Sequence, residues 1–219
     1  MNSDNGKGDI TNEKNIQLVT PVSEKISAIK HANNRDIWVF THGWATDSFF
    51  VYLITENGIN TTPQIIETGA RHEQLGDTTF NAVGYMRASP DGTKIASVLP
   101  ESLIIEVFDF DNSTGTISNP VTIPDYQFSG YGVEFSPDTK KMYFTSFMSL
   151  IQIDLEAGTE EDIINSYTVI GSSDNNNQFG ALQLATDGKI YLAHNFNNTL
   201  GVINNPAGTG AACDFDLHG

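Results

Sequence analysis

Short alternations of apolar and polar residues, each followed by a turn, run along most of the chain. The stretch VEFSPDTKKMYFTS, residues 133–146, has the pattern of a strand, a tight turn and a second strand. Similar stretches occupy residues 85–98 and 182–193. A period of two between apolar positions is typical of β-strands, and no segment sustains the 3.6-residue period of a long helix. The pattern therefore predicts an all-β chain built from hairpins.

The three turns share an aspartate and recur at a nearly constant spacing of 47 and then 49 residues. These aspartates are Asp91, Asp138 and Asp187. An aspartate in a turn hydrogen-bonds the backbone two residues on, and a glycine readily takes the left-handed position that ends such a turn. Gly92 and Gly188 suit that position, whereas Thr139 stands there in the middle copy. We therefore expect Thr139 to be left-handed and slightly strained.

Each repeat holds about four short strands, which is the layout of a propeller blade with its typical period of ~40–50 residues. An earlier stretch without the SPDG turn fits the same plan. The sequence predicts a β-propeller of about four blades with four antiparallel strands each, following a polar N-terminal segment at 1–14. The predicted propeller region is 15–219, and its blades lie at about 21–70, 80–124, 130–171 and 178–215.

Closure of the ring is the open question at this level. The last unit contains only three clear strands, and residues 15–20, NIQLVT, are an apolar stretch that would supply its outer strand and close the ring. Alternatively, the chain is an excised part of a larger ring. Open blade edges then invite self-association with another copy, because unpaired strands and uncovered sheet faces bind one another.

Charge and cysteine content exclude several classes of partner and linkage. The net charge is −16, from 27 acidic and 11 basic residues, which opposes binding to nucleic acid or to an anionic membrane surface. No apolar run reaches the ~18 residues that span a bilayer, so membrane insertion is not expected. The single cysteine, Cys213, excludes an intramolecular disulfide. The polar N-terminus lacks the layout of a signal peptide.

Candidate ligand-binding residues come from one loop and from two separate histidines. The loop THGWATDS, residues 41–48, contains His42, Trp44 and Asp47. An exposed tryptophan beside polar groups would form a platform for a sugar or a peptide; the alternative is a loop anchor packed against its blade. His31 and His194 each follow an apolar strand, and we expect them either to converge at the channel mouth or to be ordinary strand-end histidines.

A possible metal site lies in DFDNSTG, residues 109–115. Asp109, Asp111 and Ser113 alternate ahead of a glycine, as oxygen ligands do at the start of a calcium loop. The carboxylate required at the twelfth position is missing, because Pro120 stands there. A plain hairpin turn is the competing interpretation, so calcium stays an option and no other cofactor is indicated.

Several longer phrases resemble a known group of proteins. In chain order they are LVTPVSEKISAIKHANNRDIWVFTH, VFDFDNSTGTISNP, YGVEFSPD, GALQLATDGKIYLA and LGVINNPAGTGAACDF. Together they resemble the propeller region, with WD40-like or lactonase-like blades, of large secreted surface proteins from Bacteroidetes. Those proteins carry PKD modules and a C-terminal sorting domain for type IX secretion. The resemblance covers roughly residues 6–215 and implies that the chain belongs to a longer exported parent, located outside the cell or at its surface.

Two functions compete. The first is a non-catalytic binding or scaffold module that presents loops to a protein or a polysaccharide at the cell surface. The second is a propeller-fold hydrolase or lyase that acts on a carbohydrate or lactone with carboxylates or histidines at the channel mouth. The strand-end aspartates Asp109 and Asp154 repeat between units, which is typical of structural turns. The sequence therefore favours binding over catalysis.

Overall fold

Four antiparallel sheets make up the protein and are arranged as a four-blade β-propeller, as predicted. The computed structural model describes residues 14–125, 130–174, 177–196 and 198–219. The predicted polar segment 1–14 lies outside the described residues except for Lys14. Among the described residues, no helix has the length and apolar character needed to cross a membrane.

Each sheet is a meander whose strands follow one another in chain order. Blade 1 contains β1 (Val22–Lys30), β2 (Ile37–Gly43), β3 (Ser48–Thr55), β4 (Gly58–Ile59) and β5 (Gln64–Glu67), the last pairing with β3. Blade 2 contains β6 (Met86–Ala88), β7 (Lys94–Leu99), β8 (Ile104–Asp111) and β9 (Thr116–Pro124). Blade 3 contains β10 (Gly130–Phe135), β11 (Lys141–Ser146), β12 (Ser149–Asp154) and β13 (Thr168–Ser172). Blade 4 contains β14 (Phe179–Leu184), β15 (Ile190–His194), β16 (Gly201–Ile203) and β17 (Phe215–Asp216).

The connections contain little helix. One short helix, α1 (Glu160–Asn165), begins after Thr159, whose hydroxyl caps it by accepting a hydrogen bond from the backbone of Asp162. In the described part of the chain, two 3₁₀ turns occupy Phe80–Ala82 and Gly210–Cys213. The helix lies between β12 and β13, and the turns lie ahead of β6 and β17.

The repeated turn chemistry explains the hairpins between the first two strands of each blade. Gly92, Thr139 and Gly188 have φ angles of 71°, 62° and 81°, so the left-handed threonine predicted for the middle copy is confirmed. In blade 1, Asn34 takes the equivalent position with φ 61°. The Asp91 carboxylate accepts a hydrogen bond of 3.0 Å from the backbone of Thr93, which fixes the turn.

A second repeated pair ties the hairpin to the third strand of blades 2, 3 and 4. A lysine at or just before the start of the second strand binds an aspartate or asparagine near the end of the third. The pairs are Lys94–Asp109 at 2.9 Å, Lys141–Asp154 at 2.7 Å and Lys189–Asn204 at 2.7 Å. The repeated acidic positions therefore have a structural partner in their own sheet.

Apolar residues from facing sheets form the cores between the blades. Blades 1 and 2 enclose Trp38, Phe40, Phe49, Ile95 and Phe108. Blades 2 and 3 enclose Val98, Ile105, Phe135, Met142 and Phe144. Blades 3 and 4 enclose Tyr143, Leu150, Leu182, Ile190 and Leu192. Trp38 belongs to the core, since only 4% of it is exposed.

The predicted role of the N-terminal stretch is wrong. The outer strand of blade 4 is β17, which pairs with β16, and residues 15–20 form no strand. The segment 16–19 instead lines a groove on blade 1 together with Val39 and Tyr52. Blades 1–2, 2–3 and 3–4 pack through their inner strands, whereas no comparable contact joins blade 4 to blade 1 among the described residues.

Alanine substitutions at two hairpin glycines should lower the free energy of unfolding by different amounts, because one adds only backbone strain and the other also adds steric overlap. We expect Gly188→Ala (φ 81°, with open space around an added Cβ) to lower the free energy of unfolding by about 1 kcal/mol. Gly115 has φ 78°, and a Cβ there would lie 2.9 Å from Trp38 Cζ3. Gly115→Ala should therefore cost more, about 2 kcal/mol or above. Urea denaturation of both variants tests this order, and equal losses would contradict the packing described for Trp38.

Candidate functional site

At the end of the propeller where the inner strands begin, loops from several blades lie side by side. We call it the entry end and define it by the turns 44–47, 100–103 and 147–148, which join the second and third strands of blades 1 to 3. Strand pairing places the start of each inner strand beside these turns, as Gly130 opposite Ser146 shows. Loops at one end of a propeller are held by rigid blades, which suits them to recognition.

An aromatic groove crosses blades 2, 3 and 4 at the entry end. Its volume is about 400 Å³. Its lining consists of Phe80, Val83, Pro100, Gly130, Tyr131, Phe147, Gln178, Phe179, Gly180 and Asn195. These residues come from the starts of inner strands and from the turns beside them, so three blades combine to form one concave surface.

The lining of the aromatic groove offers stacking surfaces and amides. Phe80 is 60% exposed and Tyr131 39% exposed, whereas Phe179 is buried. The amides of Gln178 and Asn195 are linked by a side-chain hydrogen bond of 3.3 Å. Among the described lining residues there is no carboxylate, lysine, arginine or histidine. Aromatic faces with a few oriented amides are suited to a neutral ligand that has both apolar faces and hydroxyl groups.

The side chain of Thr145, on the second strand of blade 3, links the inner strands of blades 3 and 4 at the floor of the groove. The Thr145 hydroxyl donates to the carbonyl of Gly180 at 2.9 Å and accepts from the backbone of Gly132 at 2.9 Å. A Cβ at Gly132 would lie 2.5 Å from the Gly180 oxygen. The two strands thus approach closely because a glycine stands at the crossing point, and this sets the width of the groove.

Tyr131 also lines a second cavity, together with Tyr85 and Arg87. There its ring centroid lies 5.4 Å from that of Tyr85, and the Arg87 guanidinium lies 4.9 Å from the Tyr85 ring. Arg87 also donates to the Leu182 carbonyl at 3.1 Å and the Gln183 side chain at 2.8 Å. Arg87 therefore links blade 2 to blade 4.

A buried ionisable cluster lies nearby, between blades 1 and 2. It consists of Lys25, His42, His72 and Glu106, all of which are at most 1% exposed. The imidazoles of His42 and His72 are stacked, with ring centroids 3.4 Å apart and planes inclined by 14°. Lys25 Nζ donates to the carbonyl of Asn81 at 2.6 Å, and Glu106 Oε1 accepts from the backbone of Ala70 at 2.9 Å.

Burial shifts the titration of every member of this cluster. Loss of hydration lowers the pKa of Lys25 to about 7 and raises the pKa of Glu106 to about 7. It lowers the pKa of His42 to about 4, and it lowers the pKa of His72 further, with the neighbouring His42 adding to the effect. Both ring nitrogens of His72 are buried without a hydrogen-bond partner among the described residues. Both imidazoles are therefore neutral at pH 7.

The structure gathers the three loop candidates at the entry end but does not present them equally. His42 is buried in the cluster and is 1% exposed. Trp44 and Asp47 are half-buried, and their backbones are held by hydrogen bonds to Pro21 at 3.1 Å and Thr68 at 3.0 Å. The predicted stacking platform at Trp44 lies outside the lining of the aromatic groove, and it stays a prediction.

Of the two alternatives for His31 and His194, the structure does not show convergence at a channel mouth. His31 lies in the hairpin after the inner strand of blade 1, where its ring stacks on Trp38 with centroids 5.4 Å apart. His194 pairs with Phe179 at the start of the inner strand of blade 4. The two histidines therefore lie at opposite ends of the propeller. His194 adjoins Asn195 of the aromatic groove, and its ring centroid is 6.4 Å from that of His218.

The proposed calcium ligands do not point toward a common centre. Asp109 binds Lys94 at 2.9 Å and accepts from Asn119 at 2.8 Å. Asp111 accepts from the backbone and the hydroxyl of Ser113 at 2.9 and 2.6 Å. These contacts are those of a hairpin turn stabilised by its own side chains. Within the part of the chain that the structure describes, no three His, Cys, Asp or Glu side chains are grouped so that they could hold a metal ion.

Comparison with solved structures supports the propeller fold. The periplasmic gluconolactonase of Pseudomonas aeruginosa is 14% identical, with a TM-score of 0.56, over 89% of this chain and 56% of that one. A catalytically inactive virginiamycin B lyase from Staphylococcus aureus is 17% identical, with a TM-score of 0.53, over 89% and 54%. The WD40 repeats of RRP9 are 15% identical, with a TM-score of 0.54, over 86% and 50%. The chain spans about half the length of these proteins.

These similarities show the fold alone, because identities of this size do not carry function. No known protein family matches the chain, and no curated protein matches it.

Proposed function

We propose that the protein is a non-catalytic binding module whose aromatic groove takes a neutral oligosaccharide or a short stretch of neutral polysaccharide. The observation that carries this proposal is the lining of the groove, where Phe80, Tyr131 and Phe147 surround the amides of Gln178 and Asn195. Sugar rings have an apolar face that stacks on aromatic rings and hydroxyl groups that hydrogen-bond to amides.

Charge favours a neutral ligand over an acidic one. The chain carries a net charge of −16, and the described lining of the groove supplies no cation that would pair with a carboxylate or sulfate. An acidic polysaccharide would be repelled by the protein as a whole without gaining a local ion pair. The module would act outside the cell or at its surface, as the resemblance to secreted Bacteroidetes proteins with PKD modules and type IX sorting domains suggests.

Titration calorimetry with a set of neutral oligosaccharides tests the proposal. We expect binding to be weakened by about tenfold or more in Tyr131→Ala and Phe147→Ala, since a lost stacking contact of about 1.4 kcal/mol has that effect. The matched control is Phe196→Ala, because Phe196 is fully exposed and does not line the groove. Binding of a peptide set in place of every saccharide would contradict the proposal.

A propeller-fold lactonase or lyase is the second candidate. It is favoured by the fold neighbours, which include a gluconolactonase and a virginiamycin B lyase, and by His194, which lies directly beside the groove residue Asn195. Lactone hydrolysis or lyase turnover that is abolished in His194→Ala, with the fold intact by circular dichroism, would establish this candidate and overturn the non-catalytic proposal.

A further inference from the structure

One position of the second strand is buried in three blades and exposed in the fourth. In each blade the residue concerned pairs with the last residue of the inner strand: Ile37 with Lys30, Ile95 with Ala88, Met142 with Phe135, and Ile190 with Leu184. Ile95, Met142 and Ile190 are 0% exposed because each packs against the preceding blade. No blade precedes Ile37 among the described residues, and Ile37 is 42% exposed.

The rest of that blade 1 face is equally apolar. We call it the leading face, and it includes Ile26, Ile37, Ile59 and Ile65, with exposures of 66%, 42%, 38% and 60%. Strand pairing puts them on one side of the sheet, since Ile37 and Ile59 both pair with Ile54. The segment 16–19 covers only part of the face and leaves a groove of about 440 Å³ beside it. Single exposed apolar residues are ordinary, but a contiguous patch marks an interface.

Blade 4 has the complementary open surface, which we call the trailing face. The next residue along each second strand points to the following blade: Trp38, Ala96 and Tyr143 are 4%, 0% and 0% exposed. The equivalent residue of blade 4 is Tyr191, which pairs with Gln183 and is half-exposed. Ala181 and Ala193 lie nearby on the same strands and are also half-exposed. An aromatic ring flanked by small residues is a shape that isoleucine side chains pack against.

We infer that the leading face of one copy of this chain packs on the trailing face of a second copy. Every seam inside the chain joins a trailing face to a leading face, so the two open faces repeat a geometry that the fold already uses three times. The four blades also align with only 50–56% of the complete propellers that they match. A second copy related by a twofold axis supplies the other half of such a ring and closes it with two identical seams.

Analytical ultracentrifugation of the full chain tests the stoichiometry. We expect a species of twice the 23.9 kDa chain mass and at least a tenfold weaker association in Ile37→Lys, because a buried lysine in the seam is costly. The matched control is Val169→Lys, which changes an apolar residue that is 46% exposed on the outer strand of blade 3, and this variant should remain dimeric. The inference would be overturned if the wild-type protein were monomeric at about 100 μM.

Disulfide trapping tests which two faces meet, and it does not depend on whether Ile37→Lys folds. The double variant Ile37→Cys/Tyr191→Cys should form a covalent dimer under mild oxidation, whereas each single variant should not. A disulfide formed within one chain would show that blade 4 closes on its own blade 1, and it would overturn the inference. A covalent dimer of Ile37→Cys alone would mean that two leading faces meet, which also overturns it.

Discussion

Replacing Phe108 by alanine should lower the free energy of unfolding by about 3–5 kcal/mol, the usual cost of removing a buried aromatic side chain. Phe108 is 1% exposed in the seam between blades 1 and 2, and its ring meets that of Phe49 edge-on with centroids 5.1 Å apart. The backbone at Gly69 also rests on the ring, since a Cβ there would lie 2.7 Å from Phe108 Cζ. The seam is packed from three sides and cannot collapse into the space.

The loss in free energy of unfolding should exceed that of a surface substitution, which usually changes it by less than about 0.5 kcal/mol. It is also a large fraction of the total stability of a small domain, which is about 5–15 kcal/mol. Urea denaturation followed by tryptophan fluorescence measures it, since Trp38 belongs to the same core cluster. Phe196→Ala is the control, because Phe196 is fully exposed. A loss below about 1 kcal/mol for Phe108→Ala would mean that blades 1 and 2 are not packed as described.

Replacing His72 by phenylalanine should make the protein markedly more resistant to acid. The stacked imidazoles of His42 and His72 are buried, and the pKa of each is below the ordinary value of 6.5, about 4 for His42 and lower for His72. Below pH 6.5 these two imidazoles therefore bind protons in the unfolded chain but stay neutral in the folded protein. The free energy of unfolding falls as the pH falls. Each pKa unit of difference is worth about 1.4 kcal/mol.

Glu106 acts in the opposite direction in the same pH range. Its pKa is raised from 4.5 to about 7, so on acidification Glu106 is protonated in the folded protein before it is protonated in the unfolded chain. The contribution of Glu106 to stability therefore grows as the pH falls from 7 to 4.5. The wild-type protein shows the sum of these contributions, and the variant isolates the histidine part. Lys25, with a pKa of about 7, adds stability only as the pH rises above 7.

Thermal unfolding between pH 7.5 and 4.5 measures the difference. We expect the melting temperature of His72→Phe to fall much less on acidification than that of the wild-type protein. His31→Phe is the control, because His31 lies outside the cluster and stacks on Trp38 at the opposite end of the propeller. Parallel curves for wild type and His72→Phe would contradict the account of the cluster.

The repeat was predictable from the sequence because its turns use local chemistry. Asp91, Asp138 and Asp187 each accept hydrogen bonds from groups within four residues, and the left-handed residue stands directly after each aspartate. Such contacts depend on neighbours in the chain and need no knowledge of the fold. Three of the four blades therefore follow from the spacing of the turns, and blade 1 follows from its similar strand pattern.

Strand partners over long separations were harder to predict. The outer strand of blade 4 is the two-residue β17, which is too short to show an alternating pattern. The longer apolar stretch 15–20 is therefore the one candidate for that strand that the sequence pattern brings forward. The opposite placement of His31 and His194 also depends on the strand order within a blade. Each follows an apolar strand, but one strand is the first of its sheet and the other is the second, and they run in opposite directions.

The aromatic groove and the buried cluster could not be predicted from the sequence for a related reason. The groove takes Phe80, Tyr131, Phe147 and Phe179 from three blades, and each of these residues fits an ordinary turn or strand end when seen alone. The cluster joins His42 to His72, Lys25 and Glu106 through loops that no local pattern connects. One signal was available: Phe147 stands in the turn between β11 and β12, where an exposed aromatic residue is less usual than a polar one.

The central claim is that the aromatic groove binds a neutral oligosaccharide, and a crystal structure with the tightest-binding saccharide tests it most directly. We predict a sugar ring stacked on Tyr131 or Phe147, with its hydroxyl groups hydrogen-bonded to the amides of Gln178 and Asn195. A saccharide bound elsewhere, for example at Trp44, with the aromatic groove empty at saturating concentration, would contradict the account.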